Sequence, residues 1–205
     1  MTPSPRLMAA LLFCVSFGPL AKAHDHTNMT MPTMETAPLS GQSLYNLPNP
    51  WTTQNGETRQ LVSLKGSPVV VAMVYTSCKE MCPLTVESMR KIGDAWAKKS
   101  KTPLRFALFT FDVDRDIPTR LKDYSLAHKL DDGNWTLFHG DEAAVRNLAA
   151  TLGVSYRKDA NGDFDHAYAI TLLDADGAIA YQQAGTQQDM KEWMAQLTKL
   201  AGMRK

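Results

Sequence analysis

A continuous run of apolar, mostly β-branched residues at 69–75 leads directly into two closely spaced cysteines, Cys78 and Cys82. Such a run is typical of a strand that is buried on both faces of an α/β sheet. Pro83 follows the second cysteine, and proline suits the first turn of a helix because its missing N–H would be unpaired there anyway. The sequence therefore predicts that the cysteine pair lies at the carboxyl end of a central strand, where open α/β sheets bind their ligands.

The remaining periodic segments alternate between strands and helices. The turn signal Asn55-Gly56 predicts a β-hairpin between residues 45–53 and 58–64. Further strands are expected at 104–111, 135–138, 167–173 and 179–183, and helices from 83 to before 103 and at 118–130, 141–152 and 187–200. This order predicts an α/β, thioredoxin-like fold with an N-terminal β-hairpin. One domain, residues 41–205, is expected after a flexible, His- and Met-rich tail at 24–40.

The first 23 residues have the pattern of an export signal. Arg6 supplies a positive charge, an apolar stretch covers residues 7–20, and Ala21-Lys22-Ala23 fits the small-x-small cleavage rule. The apolar stretch is shorter than the roughly 18 to 20 residues that a membrane span needs, so cleavage is favoured over a retained anchor. We therefore expect a periplasmic or secreted protein with no membrane span in its mature chain. The formal net charge of +1 does not indicate nucleic-acid binding.

Two cysteines at this spacing in an oxidising compartment form a disulfide, a redox couple or a metal site. On helical or near-helical backbone, Cys78 and Cys82 would present both sulfurs on one face. A helix N-terminus lowers the pKa of a thiol and favours the metal-binding thiolate. Two thiolates select soft ions such as copper(I) or zinc. His166 is the candidate third ligand because the polar loop 163–166 leads into a strand adjacent to the cysteine loop, and imidazole also suits copper(II).

Three blocks of the sequence resemble the signature blocks of the Sco/SenC family. They are Val74-Tyr75-Thr76-Ser77-Cys78-x-x-x-Cys82-Pro83, Phe111-Asp112-Val113-Asp114-Arg115-Asp116-Ile117-Pro118, and Asp165-His166 followed by Asp174-Ala175-Asp176-Gly177. The resemblance implies a thioredoxin-like copper metallochaperone whose copper ligands are Cys78, Cys82 and His166. It also implies a copper-receiving client, such as cytochrome c oxidase subunit II with its binuclear copper centre or another copper enzyme. The chain departs from the family pattern at Lys79 and Val113, where many members have proline.

The predicted tail offers a second set of copper ligands. Cleavage after Ala23 would leave His24-Asp25-His26 at the N-terminus, where the amine, two amides and the imidazole of His26 can form a square-planar nitrogen set for copper(II). Thioether ligands that suit copper(I) follow at Met29, Met31 and Met34. The alternative interpretation is a solvated tail of biased composition.

A thiol-disulfide oxidoreductase or peroxidase on the same fold is the main alternative function, since a low-pKa cysteine with a nearby partner can do redox work. Redox thioredoxins, however, use a C-x-x-C spacing and a cis-proline before the strand that faces the cysteines. This chain has no proline after Pro118. The peroxiredoxin pattern places threonine three residues before the cysteine, whereas Thr76 stands two before Cys78. A passive copper scavenger that relies on the tail is a further alternative.

Two other groups of residues are expected to have lesser roles. The charged loop with Asp112, Asp114, Arg115 and Asp116 is expected on the rim of the site, where it could steer a client electrostatically, or else is simply solvated. The remaining candidates, interpreted as structural, are His128, Trp135 and His139.

Overall fold

A seven-stranded mixed sheet organises the described residues, 43–160 and 162–202 of the computed structural model. The elements follow the chain as β1 (Trp51–Thr53), β2 (Thr58–Arg59), β3 (Val69–Val74), α1 (Met81–Ala97), β4 (Arg105–Thr110), α2 (Pro118–Ala127), β5 (Trp135–His139), α3 (Glu142–Leu152), β6 (Tyr156–Lys158), β7 (Phe164–His166), β8 (Ala169–Leu173), β9 (Ile179–Ala184) and α4 (Met190–Gly202). Short 3-10 helices, Leu44–Asn46 and Leu61–Leu64, lie before β1 and after β2.

The strand order β2-β1-β5-β4-β3-β8-β9 places β3 between β4 and β8. Val69 of β3 lies opposite Arg105 in the parallel pair with β4, and opposite Leu173 in the antiparallel pair with β8. Every residue of β3 is buried, as the continuous apolar run predicts for a central strand.

One edge of this sheet gathers three loops that are distant in sequence. β3, β4 and β5 run in parallel, so the loops that follow β3 and β4 leave at the same edge. β8 runs antiparallel to β3, so the segment that enters β8 reaches that edge as well. The cysteine loop, the acidic loop and the segment with His166 therefore converge by topology.

The predicted α/β class and the N-terminal hairpin are confirmed. β1 and β2 pair antiparallel around Asn55-Gly56, but β1 also pairs with β5, so the hairpin extends the main sheet. The strand prediction is wrong for the outer parts of 45–53 and 58–64, where the chain forms 3-10 helices at Leu44–Asn46 and Leu61–Leu64. The predicted polar loop at 163–166 contains a strand, β7, that pairs with β6. Both strands are short and polar, so no apolar alternation indicated them.

Helix ends differ from the prediction where local groups stop or start a helix. α2 ends at Ala127 rather than at residue 130, and Lys129 takes a positive φ of 54° that cannot continue the helix. α4 begins at Met190 because the side chain of Asp189 accepts hydrogen bonds from the N–H groups of Lys191 and Glu192. α3 is capped as predicted, with Asp141 accepting from the Ala144 N–H at 2.6 Å.

Within residues 43–160 and 162–202, no helix has the length and apolar content to cross a membrane. The predicted signal peptide at 1–23 and the tail at 24–40 lie outside the described residues. Their boundaries, and that of the domain at 41–205, remain predictions.

Candidate metal centre

The two cysteines lie on either side of the start of α1. β3 ends at Val74, Cys78 lies in the following turn, and Cys82 is the second residue of the helix, which begins at Met81. The N–H of Cys82 points at the Cys78 sulfur, 3.3 Å away. Both residues are free thiols, Cys78 partly exposed and Cys82 buried. The spacing thus brings both side chains to the N-terminal end of one helix, as predicted.

The two thiols have opposite pKa shifts. Burial acts to raise the pKa of Cys78, but hydrogen bonds from the backbone N–H groups of Cys82, Glu80 and Met81 outweigh it, and the pKa is lowered. Burial raises the pKa of Cys82 well above its ordinary value, and a negative charge on Cys78 raises it further. The predicted lowering by the helix N-terminus is therefore confirmed for Cys78 and wrong for Cys82, whose sulfur is too deeply buried.

His166 approaches the cysteines from a distant part of the sequence. Its Nε2 lies 3.9 Å from the Cys82 sulfur, although 84 positions separate the residues in sequence. Its Nδ1 lies 3.2 Å from the carbonyl oxygen of Ala167. When Nδ1 carries the proton, it donates to that carbonyl and leaves the Nε2 lone pair directed at the sulfur. Burial lowers the pKa of His166, so the imidazole is neutral at pH 7.

Aromatic side chains surround the imidazole. The ring centroids of Tyr168 and Phe111 lie 4.3 and 4.6 Å from that of His166, and that of Tyr75 lies 6.0 Å away. Burial and the negative charge on Cys78 raise the pKa of Tyr75, whose hydroxyl therefore stays protonated and can donate to the Cys78 sulfur. These rings exclude water from one side of the thiol–imidazole pair.

The donor set fits a soft metal ion. Metal–sulfur and metal–nitrogen bonds are about 2.3 and 2.0 Å long, and together they exceed the 3.9 Å between the Cys82 sulfur and His166 Nε2, so one ion can reach both atoms. Two sulfurs and an imidazole suit copper or zinc and not magnesium or calcium. In the described part of the chain, no three His, Cys, Asp or Glu side chains are already gathered around a single point, so an ion would complete the site by drawing the donors together.

The turn before Cys78 is anchored by a buried carboxylate that the sequence did not single out for this role. Asp116 accepts a hydrogen bond from the Thr76 N–H at 2.8 Å, and it also accepts from the hydroxyls of Thr76 and Thr110. These bonds tie the ends of β3 and β4 to Asp116, two residues before α2. The only sequence signal was the presence of Asp116 in the acidic loop, which indicated charge and not burial.

The predicted steering role of the acidic loop is corrected for two of its residues. Asp112 and Asp116 are fully buried, and their carboxylates bond to Arg115 and to the two threonines. Such groups present no charge to an approaching protein. Asp114 is exposed but pairs with Lys158 at 2.8 Å.

The remaining predicted residues lie elsewhere. The imidazole of His128 packs on the ring of Tyr124, with centroids 4.1 Å apart, beyond the end of α2. His139 is the last residue of β5. The predicted tail ligands, which are His24, His26, Met29, Met31 and Met34, lie outside the described residues.

Comparisons with known proteins agree on one family. The SCO1/SenC family model matches residues 40–202. The SCO2-like protein of Rickettsia conorii is 29% identical over 137 residues, which are 60% of this chain and 62% of that protein. Two further curated relatives are also covered over 62% of their length, so the chain spans about three fifths of these proteins.

Solved structures give the same picture of the fold. ScoI of Bradyrhizobium japonicum, solved with copper bound, is 25% identical, with a TM-score of 0.61 over 74% of this chain and 96% of that one. BsSco, described as a member of the Sco family of cytochrome c oxidase assembly proteins with a disulfide switch, is 19% identical, with a TM-score of 0.66 over 80% of this chain and 100% of that one. The predicted thioredoxin-like fold is thereby confirmed.

Proposed function

Because this chain belongs to the SCO1/SenC family, we propose that it is a copper metallochaperone that binds one copper ion through Cys78, Cys82 and His166 and delivers it to a client protein. The observation that carries this proposal is the 3.9 Å approach of His166 Nε2 to the Cys82 sulfur. A partly buried, neutral imidazole next to two thiols supports this ligand set, since it offers lone pairs and no competing positive charge.

The three residues have different parts in loading and release. Cys78, partly exposed and with a lowered pKa, is the thiolate that an incoming ion meets first. Cys82 holds its proton until the metal displaces it, so loading releases a proton. Three ligands leave copper with a low coordination number, and a client ligand can bind before the first ligands leave. Transfer therefore needs no free ion.

The proposed client is the binuclear copper centre in subunit II of cytochrome c oxidase, or another copper enzyme outside the cytoplasm. BsSco is described as belonging to a family of cytochrome c oxidase assembly proteins, and the Bradyrhizobium structure contains copper. The export signal predicted at 1–23 supports a periplasmic or secreted location, where such a client is loaded.

Copper titration of the purified protein tests the proposal. We expect one copper per domain, with a near-ultraviolet thiolate-to-copper absorption band. Cys78→Ser and Cys82→Ser should abolish the band, and His166→Ala should weaken binding by at least about tenfold, the scale on which even outer residues of a metal site act. His128→Ala is the matched control, because this histidine packs on Tyr124 and not on a cysteine. Full copper content in both serine variants would refute the proposed site.

A thiol-disulfide oxidoreductase is the second candidate, and the unequal thiols favour it. A partly exposed, low-pKa Cys78 next to a buried, high-pKa Cys82 is the arrangement of an attacking and a resolving cysteine. In such a protein the Cys78 thiolate attacks a client disulfide, and Cys82 then releases the reduced client. Cys82→Ser would trap a mixed disulfide with the client, whereas Cys78→Ser would trap none. A trapped client without bound copper would favour this candidate over the chaperone.

A further inference from the structure

His166 lies on a hairpin that is separate from the main sheet. β6 and β7 form their own two-stranded sheet. His166 pairs with Tyr156 at the open end of the hairpin, and Phe164 pairs with Lys158 next to the turn. The ring of Phe164 packs against Tyr75 and Phe111, with centroids 5.3 and 4.9 Å apart. Apolar contacts thus hold β7 two residues from His166, and other groups hold the far end of the hairpin, the turn that includes Gly162.

Arg115 connects the far end of the hairpin to the loop after β4. Its Nε donates to Oδ2 of Asp112, and its Nη2 donates to the carbonyl oxygen of Gly162. Asp112 is fully buried, and its other carboxylate oxygen has no hydrogen-bond partner in the described part of the chain. Arg115 therefore compensates a buried charge with one end of its guanidinium and holds the hairpin with the other.

A second link lies beside the first. Lys158 of β6 pairs with Asp114 at 2.8 Å, and both side chains are largely exposed. An exposed pair of this kind contributes little alone, but it joins the same loop to the same hairpin. The ring of Phe164 lies 5.7 Å from the Lys158 ammonium, so this link lies beside the apolar contacts of Phe164.

The same loop is bonded to the cysteine turn at its other end. Asp116 accepts from the N–H and hydroxyl of Thr76, two residues before Cys78. Residues 112–116, which we call the bracket loop, therefore contact both halves of the candidate copper site. Arg115 and Asp114 contact the histidine half, and Asp116 contacts the cysteine half.

We propose that the bracket loop sets the separation between the His166 imidazole and the cysteine sulfurs, with Arg115 and Asp116 as positioning residues that control how long copper is retained. This inference rests on the proposed copper function and deepens it. A ligand on a hairpin is held at the metal only as firmly as the hairpin itself. When the Arg115 bond to Gly162 opens, the hairpin tilts away, His166 leaves the ion, and copper remains on the two sulfurs, ready for a client.

Two measurements test the bracket, and the first requires no metal. In the metal-free protein, Arg115→Ala should speed amide hydrogen exchange in β6 and β7 by about tenfold, which corresponds to the loss of one charge-assisted hydrogen bond. Exchange in β3 and β4 should not change. The second is the rate at which the copper(I)-loaded protein yields its ion to the chelator bathocuproine disulfonate. Arg115→Ala should raise this rate by about tenfold and Lys158→Ala by about twofold.

Matched variants separate positioning from a general loss of stability. Arg59→Ala removes an exposed arginine ion pair with Glu57 at β2, an edge strand of the main sheet, and should change neither rate. Lys158→Ala removes an exposed side chain and leaves Asp112 compensated, so it folds even where Arg115→Ala does not. The charge swap Asp114→Lys with Lys158→Asp should restore the wild-type release rate. Rescue by the swap is not expected of residues that act only on folding.

The outcomes distinguish this inference from the proposed function. Unchanged hairpin exchange in both Arg115→Ala and Lys158→Ala overturns the bracket, whatever the protein binds. Faster exchange with an unchanged rate of copper release shows that the hairpin does not govern retention and also overturns the inference. If wild type binds no copper at the cysteines, the proposed function fails, and so does the inference that the bracket loop governs copper retention.

Discussion

Cys78 and Cys82 are only four residues apart, yet their sulfurs have different surroundings. Backbone N–H groups at the start of α1 surround the sulfur of Cys78, whereas the side chain of Cys82 turns into the core. The pKa is therefore lowered for one thiol and raised for the other. The pair is best described as one reactive thiol with a lowered pKa and one protected thiol.

Alkylation with iodoacetamide as a function of pH tests this difference. Only the thiolate reacts, so a lowered pKa moves the rise in the rate of Cys78 modification to lower pH than for an ordinary thiol. In the native protein, Cys82 should stay unmodified at about pH 7 to 8, which is close to the usual pKa of a thiol. It should react only after unfolding. Mass spectrometry of the peptide with both residues reports each site. Equal modification of the two cysteines at pH 7 would contradict the assignment.

At the scale of elements, the turn between β8 and β9 is held by the segment before β1. The Leu44 N–H donates to the carbonyl oxygen of Gly177 at 2.9 Å, and the Ser43 hydroxyl donates to that of Asp176. Gly177 has a φ of +83°, and a Cβ there would lie 2.6 Å from the ring of Tyr45. The turn thus requires glycine for two reasons, backbone conformation and lack of space.

Substitution of two glycines separates these reasons. Gly133 has a φ of +84° with nothing within 4 Å of an added Cβ, so Gly133→Ala carries only the backbone strain, about 1–2 kcal/mol. Gly177→Ala adds the collision with Tyr45, for which overpacking costs about 1–3 kcal/mol more. Urea unfolding of both variants measures the difference in the free energy of unfolding. Equal destabilisation would mean that the segment around Tyr45 does not press on the turn.

At the scale of the whole molecule, we propose two separate copper sites, one in the domain and one in the predicted tail. The domain site needs three loops at one edge of the sheet, whereas the tail site needs only an N-terminal amine and a histidine in third place. The two sites can therefore be removed independently.

A variant of the mature protein that begins at residue 35 should lose one equivalent of copper(II). It should retain the copper ion that gives the thiolate-to-copper absorption band. Within the full mature chain, His26→Ala should remove the tail copper(II), and His24→Ala should keep it because the third-position histidine remains. Equilibrium dialysis with copper(II) measures the stoichiometry of each variant. Loss of most bound copper from the shortened variant, with no thiolate band left, would instead indicate a passive scavenger.

The local architecture around the cysteines follows from the sequence alone. A continuous apolar run rich in β-branched residues indicates a strand buried on both faces. Pro83 indicates a helix start because its missing N–H costs nothing in the first turn, and Asp141 indicates one because its side chain accepts from the Ala144 N–H. These features depend on neighbours in the chain, so they can be predicted from it. The polar loop that leads into β8 and the family resemblance also pointed to His166, whose Nε2 lies 3.9 Å from the Cys82 sulfur.

Burial and long-range contacts are visible only in the folded chain. Asp112 and Asp116 are predicted to be surface charges, yet both are fully buried, and Asp116 accepts from Thr76, 40 positions away in sequence. The raised pKa of Cys82 and the 3.9 Å approach of His166 likewise depend on how β3, β4 and β8 bring three loops to one edge. The pKa of a group follows from the solvent and charges around it, and those are set by residues tens of positions away. For that reason the sequence could name the candidate ligands, and only the folded chain could show how they are positioned.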